Sequence, residues 1–226
     1  PGRAEWASAR AAGDGGGESR VAGEGDVFSG GGVGSRSRAP GRMPKPERVP
    51  AFGDPKMFDT TVGWRYPNPR MDALYPIISL GETAENIADD MHISRADQDA
   101  FALQSQARAA VAQGSGRLAR EIAPVMVAQK RGEPIEVSAD EHLRKTTIEN
   151  LAALPTPFRQ GGTVTAGNAS GINDGAACVL LASEAAVAEF DLTRWAEFLG
   201  AASAGVPGIS KVPWAVQRAV PSVRES

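Results

Sequence analysis

The chain is poor in the groups that usually announce chemistry. It has one cysteine and two histidines in 226 residues. A single cysteine forms no internal disulfide, which fits a reducing compartment. Excess positive charge is missing too: the formal net charge is -3, so nucleic acid is not a favoured partner. No apolar run is long enough to cross a bilayer, and no charged-apolar-small signal pattern opens the chain. These absences predict a soluble, cytoplasmic protein with no nucleic-acid partner and no membrane partner.

The familiar site motifs are absent as well. His92 and His142 lie fifty residues apart, without metal-site spacing, so no metal is expected. His92 precedes a helix start and His142 sits in SADEHLRK, which predicts exposure for both. Spacing alone leaves a serine-histidine-aspartate triad open, but no G-x-S-x-G elbow supports it. The glycine clusters near Gly15 and Gly30 match neither a P-loop nor G-x-G-x-x-G. Asp140 and Glu141 are adjacent, which suits a solvated face better than an acid-base pair.

What is present is a globular composition, 42% hydrophobic and 23% charged, long enough for about one to one and a half domains. The first forty residues are the exception: they are dense in Gly, Arg and Ser, begin with Pro1, and bury too little to order themselves. From Met43 to Leu80 the prolines predict an extended loop packed through Met57, Phe58, Trp64 and Tyr66. Thr83 can cap a helix with Ala84, Ile87, Ala88 and Met91 on one face. Ser94 caps a longer helix, on which Ala100, Phe101, Gln104, Ala107 and Val111 share an apolar face and Asp97, Asp99 and Arg108 take the solvated side. Val125–Ala128 and Ile135–Val137 flank Gly132 as a hairpin. A short helix over TTIENLAAL puts Ile148, Leu151 and Leu154 on one side before Pro155 ends it.

The stretch from Thr163 to Ser183, TVTAGNASGINDGAACVLLAS, joins a glycine-punctuated loop to an apolar run. The run suits a strand buried on both faces, although periodicity alone leaves a helix open. Ser183 can cap the helix after it. Cys178 has no charge for several residues on either side, which predicts a buried structural cysteine rather than a nucleophile. The loop TAGNASGINDGA is either a tight connection or a ligand-binding loop, in which Asn168, Asn173 and Asp174 bond local backbone and Ser170 approaches a ligand amide.

Several stretches together resemble the thiolases, which transfer acyl groups to and from coenzyme A. They are SRAP, MFDTTVGWRYPNP, LGETAENIADDMHISRADQDAFALQSQARAAVAQGSGRLAREIAPV, RKTTIENLAALPTPFR and TVTAGNASGINDGAA, collinear from about Val27 to Val206. The phrase MFDTTVGWRYPNP looks most like the 3-oxoadipyl-CoA branch. The resemblance implies an α/β chain, part of a thiolase-like αβαβα layered fold with an inserted α+β loop domain. It implies residues 1–40 as a degenerate end of the first half and 41–168 as the loop domain. Residues 169–190 are then the returning core strand and helix, and 191–226 a linker and the start of a second half. It places Ser170 and Ala166 at the pantetheine, and Arg144, Asn150, Leu154 and Phe158 around the adenine-ribose-phosphate end. HLRKTTIEN is one residue shorter than the family pattern at Arg144. Coenzyme A is a co-substrate here, with no separate cofactor, and the intact family implies a homo-oligomer.

The departures matter as much. The family's nucleophilic cysteine phrase N-R-L-C-G-S-G, its second cysteine in C-x-G-G-G, its histidine in G-G-H-P-x-G and its N-E-A-F asparagine have no counterpart here. No catalytic residue is therefore assigned, and the chain alone is expected to be inactive. Ser29 and Gly30 are expected to interrupt the strand before SRAP, and likeness fades at both ends as in a frame-shifted or decaying gene. The competing reading is a non-catalytic module for CoA binding or oligomerisation.

Overall fold

The computed structural model describes residues 23–45, 54 and 56–199. The opening Gly/Arg/Ser stretch up to residue 22 and the tail from residue 200 lie outside the described residues. The elements are mixed α and β, as expected, and the chain divides into two compact units, Pro1–Ile78 with Ile172–Ser226 and Ser79–Gly171.

In the first unit, β1 (Val27–Gly34) pairs antiparallel with β6 (Gly175–Ala182), in register from Val27 opposite Ala182 to Gly34 opposite Gly175. Ser29 and Gly30 do not interrupt β1, contrary to the sequence expectation. A ladder needs backbone groups, and these residues supply them as well as any. Small residues also permit close approach: a Cβ on Gly31 would lie 3.0 Å from the Ala177 carbonyl and 3.1 Å from Cys178 Cβ. A second expectation is corrected too. The apolar run is a strand, but residues 175–180 are exposed rather than buried on both faces. Its ladder partner β1 lies in the plane of the ribbon, and burial of a strand's faces needs an element packed over them. Cys178 is therefore exposed too, not a core residue.

Helix α5 (Glu184–Glu189) follows β6 and packs on it, capped by Ser183, whose hydroxyl accepts from the Ala186 N–H at 3.0 Å. Upstream, β2 (Gly41–Arg42) pairs with β3 (Phe58–Asp59), and α1 (Pro69–Leu74) starts with Asn68 as cap and Pro69 at its first position. The 43–80 segment is thus less irregular than its prolines suggested. Phe58 and Tyr66 pack ring against ring, with centroids 5.1 Å apart, whereas Met57 is exposed.

The second unit contains α2 (Leu80–Asp90), α3 (Arg95–Gly114), a hairpin of β4 (Val125–Val127) and β5 (Ile135–Val137), and α4 (Ile148–Ala152). The hairpin forms as predicted, with Gly132 taking φ +92 in its turn. Ser79 rather than Thr83 caps α2, accepting from the Glu82 N–H at 3.1 Å. Thr83 instead lies one turn inside, its hydroxyl donating to the Ser79 carbonyl. Ser94 caps α3 as expected.

The buried side of α3 is not the predicted one, although Asp97 and Arg108 are exposed as expected. Phe101 and Val111 are each 72% exposed, while Asp99 is 2% exposed. The inward stripe runs through Arg95, Gln98, Asp99, Ala102, Leu103 and Gln106. Polar groups inside α3 find partners on the facing segments, and that satisfaction decides the orientation.

Candidate functional site

The loop Gly161–Ser170 is held against α2 by a carboxylate. Both oxygens of Glu85, 1% exposed, accept from the Thr163 N–H at 2.9 Å. Val164 N–H donates to Oε1 at 2.8 Å and the Thr163 hydroxyl to Oε2 at 3.0 Å. A side chain at 162 would overlap this carboxylate, so Gly162 is required there. Burial pushes the Glu85 carboxyl up. The backbone N–H groups of Thr163 and Val164, the Thr163 hydroxyl and the Arg159 charge more than offset that, and hold it below the usual carboxylate range.

Arg159 fixes the approach to this loop. Its Nε and Nη2 donate to Glu82 at 2.9 and 2.6 Å, its Nη1 donates to Asp89 at 2.5 Å, and Nη2 also reaches Asn86. Glu82, Glu85, Asn86 and Asp89 are spaced i, i+3, i+4, i+7, so α2 turns a polar stripe toward the 159–164 segment. Of the predicted apolar face, Ala88 is buried and Met91 is exposed.

The far end of the loop is bracketed by Asn168. Its side-chain oxygen accepts from the Thr165 N–H at 2.7 Å, and its Nδ2 donates to the Thr163 carbonyl and to Asp99 Oδ1, each at 3.0 Å. Thr165 is fully buried and its hydroxyl accepts from the Gly167 and Asn168 N–H groups. Asp99 Oδ2 accepts from Arg95 Nε at 2.7 Å. The Arg95 Nη2 in turn donates to the carbonyls of Leu151, Leu154 and Ala152 at 2.6, 3.2 and 3.3 Å, a cation on the C-terminal end of α4.

Apolar contact closes the arrangement. A Cβ on Gly167 would lie 2.5 Å from Leu151 Cδ2 and 2.6 Å from Leu154 Cδ1, so the bare glycine lets the loop rest on both leucines. Of the predicted residues, Leu154 is thereby joined to the loop that carries Ala166 and Ser170, and the latter two stand exposed on it. Asn150 is exposed within α4, whose cap Thr147 accepts its N–H at 3.3 Å. Phe158 sets its ring over Gly81 at the start of α2. Arg144 is exposed, its N–H held by Gln106 on α3 while its guanidinium donates to the Glu141 carbonyl at 2.6 Å. Glu85, Arg95 and Arg159 were not singled out from sequence, and Asp99 was assigned to the solvated side of its helix. The one available signal was the polar i, i+3, i+4, i+7 spacing on α2.

The arrangement is a loop braced at both ends, with Ala166 and Ser170 exposed on it and Gly167 resting on Leu151 and Leu154. Among the described residues no group of three or more His, Cys, Asp or Glu is placed to hold a metal ion, and no helix is long and apolar enough to cross a membrane. His92 and His142 are both exposed, as expected.

A family model for the thiolase N-terminal domain matches residues 8–185. The chain belongs to the thiolase family. It is 50% identical over 198 residues to the 3-oxoadipyl-CoA/3-oxo-5,6-dehydrosuberyl-CoA thiolase of Escherichia coli K12, covering 85% of this chain and 49% of that protein. It is 52% identical, over the same number of residues and the same shares, to the beta-ketoadipyl-CoA thiolase of Pseudomonas putida. Among solved structures it is similar to human mitochondrial 3-ketoacyl-CoA thiolase, with TM-score 0.77, 33% identity, and coverage of 96% of this chain and 54% of that one. The Bacillus anthracis acetyl-CoA acetyltransferase matches with TM-score 0.73 at 34% identity, over 89% of this chain and 50% of that one. The chain spans about half the length of the curated relatives it matches. This thiolase-family chain thus carries its braced loop within the matched N-terminal domain.

Proposed function

We propose that this chain is a coenzyme A-binding part of a thiolase acting on 3-oxoacyl-CoA, with 3-oxoadipyl-CoA as its substrate class. The observation that supports it is the Gly167 contact with Leu151 and Leu154, which joins two segments assigned to the ligand from sequence. In this reading Ser170 and Ala166 meet the pantetheine arm. Asn150, Leu154, Phe158 and Arg144 surround the nucleotide end, Arg144 by releasing its local carbonyls to reach phosphate. Residues 41–168 act as the loop domain and β1 and β6 belong to an αβαβα layered core. In the whole family the reaction is thiolysis of a 3-oxoacyl-CoA or the reverse condensation, which needs an activated thiolate, a base and oxyanion donors. Cys178, opposite Gly31 on a two-stranded ribbon, is given none of these roles. The chain alone binds without turning over.

Isothermal titration with CoA tests this. Saturable binding, weakened about fivefold by Ser170→Ala through loss of one neutral hydrogen bond, is expected. Absence of binding would remove the proposal. Thiolysis of 3-oxoadipyl-CoA by the purified chain, surviving in Cys178→Ala, would demand another nucleophile. A second reading, an oligomerisation module, is supported by the outward Phe101 and Val111 on α3. Sedimentation velocity that reports self-association lost in Phe101→Ser favours it.

A further inference from the structure

We infer that Arg95 and Asp99 are a positioning pair that makes the order of the loop 163–170 depend on the C-terminal end of α4, and the reverse. Four residues apart on α3, they form one ion pair at 2.7 Å, with Asp99 2% exposed. Each has a second task on a different segment. Asp99 receives the Asn168 amide at 3.0 Å, and Asn168 in turn closes the loop through the Thr165 N–H and the Thr163 carbonyl. Arg95 gathers the carbonyls of Leu151, Ala152 and Leu154, at and just beyond the end of α4, and shares the Leu151 carbonyl with the Leu154 N–H.

A buried carboxylate beside an amide is satisfied only while its cation remains, and the cation stays in place only while its fork has carbonyls to fill. Removing either task loosens the other. A lysine at 95 has the charge but not the planar fork, so it cannot serve Asp99 and three carbonyls together. Glu85 anchors the opposite end of the same loop through Thr163 and Val164. The loop is therefore fixed at one end by α2 and at the other by the α3 pair. Resting on the coenzyme A reading above, the pair sets the relative placement of Ser170 and Leu154, and so ties recognition of the two ends of one ligand.

Hydrogen exchange of the full chain, read amide by amide, tests the coupling without any ligand. In Asp99→Asn and in the milder Arg95→Lys, exchange should quicken about tenfold or more at Thr165 and Gly167 and also at Leu154, with Val164 unchanged. In the same variants the CoA dissociation constant should rise about tenfold. Quickening in the loop without any at Leu154 would overturn the coupling. Uniform quickening across the chain would also overturn it, since general destabilisation spares no amide. If the unaltered chain binds no CoA while the paired exchange pattern appears, the coupling stands and the coenzyme A reading falls.

Discussion

Glu85 and Val164 are bound at 2.8 Å, carboxylate to backbone N–H, with Glu85 1% exposed. The bond makes a buried acid on α2 the anchor of a loop almost eighty residues further along the chain. Because Thr163 adds its own N–H and hydroxyl, the charged form is the satisfied one.

Acid should therefore loosen the second unit. The folded carboxyl sits below its ordinary value of 4.5, so its contribution is complete above that pH and is lost as pH falls through the lower folded value. The melting temperature measured from pH 6 to pH 2 should decline in that window. Glu85→Gln, which offers an N–H group where donors converge, should cost about 2–4 kcal/mol at neutral pH and flatten the decline. An unchanged acid profile in the variant would contradict the role.

Gly167→Ala should destabilise by about 1–3 kcal/mol, since the new methyl meets Leu151 and Leu154 at 2.5 and 2.6 Å. Urea denaturation gives the value. Pairing it with Leu154→Ala, which vacates the space, should recover part of the loss.

Ser94→Ala should cost about 1 kcal/mol of stability by removing the acceptor of the Asp97 N–H at 3.1 Å. Chemical denaturation checks it, and Ser94→Asn or Ser94→Asp should restore most of the effect.

Cys178 should react with a thiol reagent without denaturant, because it is exposed on β6. Resistance until unfolding would mean that something covers the ribbon in solution. Cys178→Ser should leave CoA affinity within error, since the residue lies outside the loop proposed to meet the ligand.

Much of the local structure was legible from residues alone. Ser94 and Ser183 offered side-chain acceptors just ahead of helical patterns, and both cap. The hairpin about Gly132 followed from two short β-branched runs and a residue able to take positive φ. Asn168 was read as a bracket for local backbone, which it is. Its bond to Asp99, sixty-nine positions away in the chain, had no local signal.

The sequence by itself determined the type of the longer helices and of the hairpin, the caps at Ser94 and Ser183, and membership in the thiolase family, because those depend on neighbours in the chain and on collinear phrases. Tertiary structure alone decided what each element turns inward. On α3 the apolar stripe through Phe101 and Val111 lost to the buried Asp99 and half-buried Arg95, which find each other, Asn168 and three carbonyls. On β6 an apolar run stayed exposed, its ladder partner β1 lying beside it rather than over its faces. Hydrophobic pattern ranks the faces of an element, but burial needs a partner surface, and the partners are chosen by the fold.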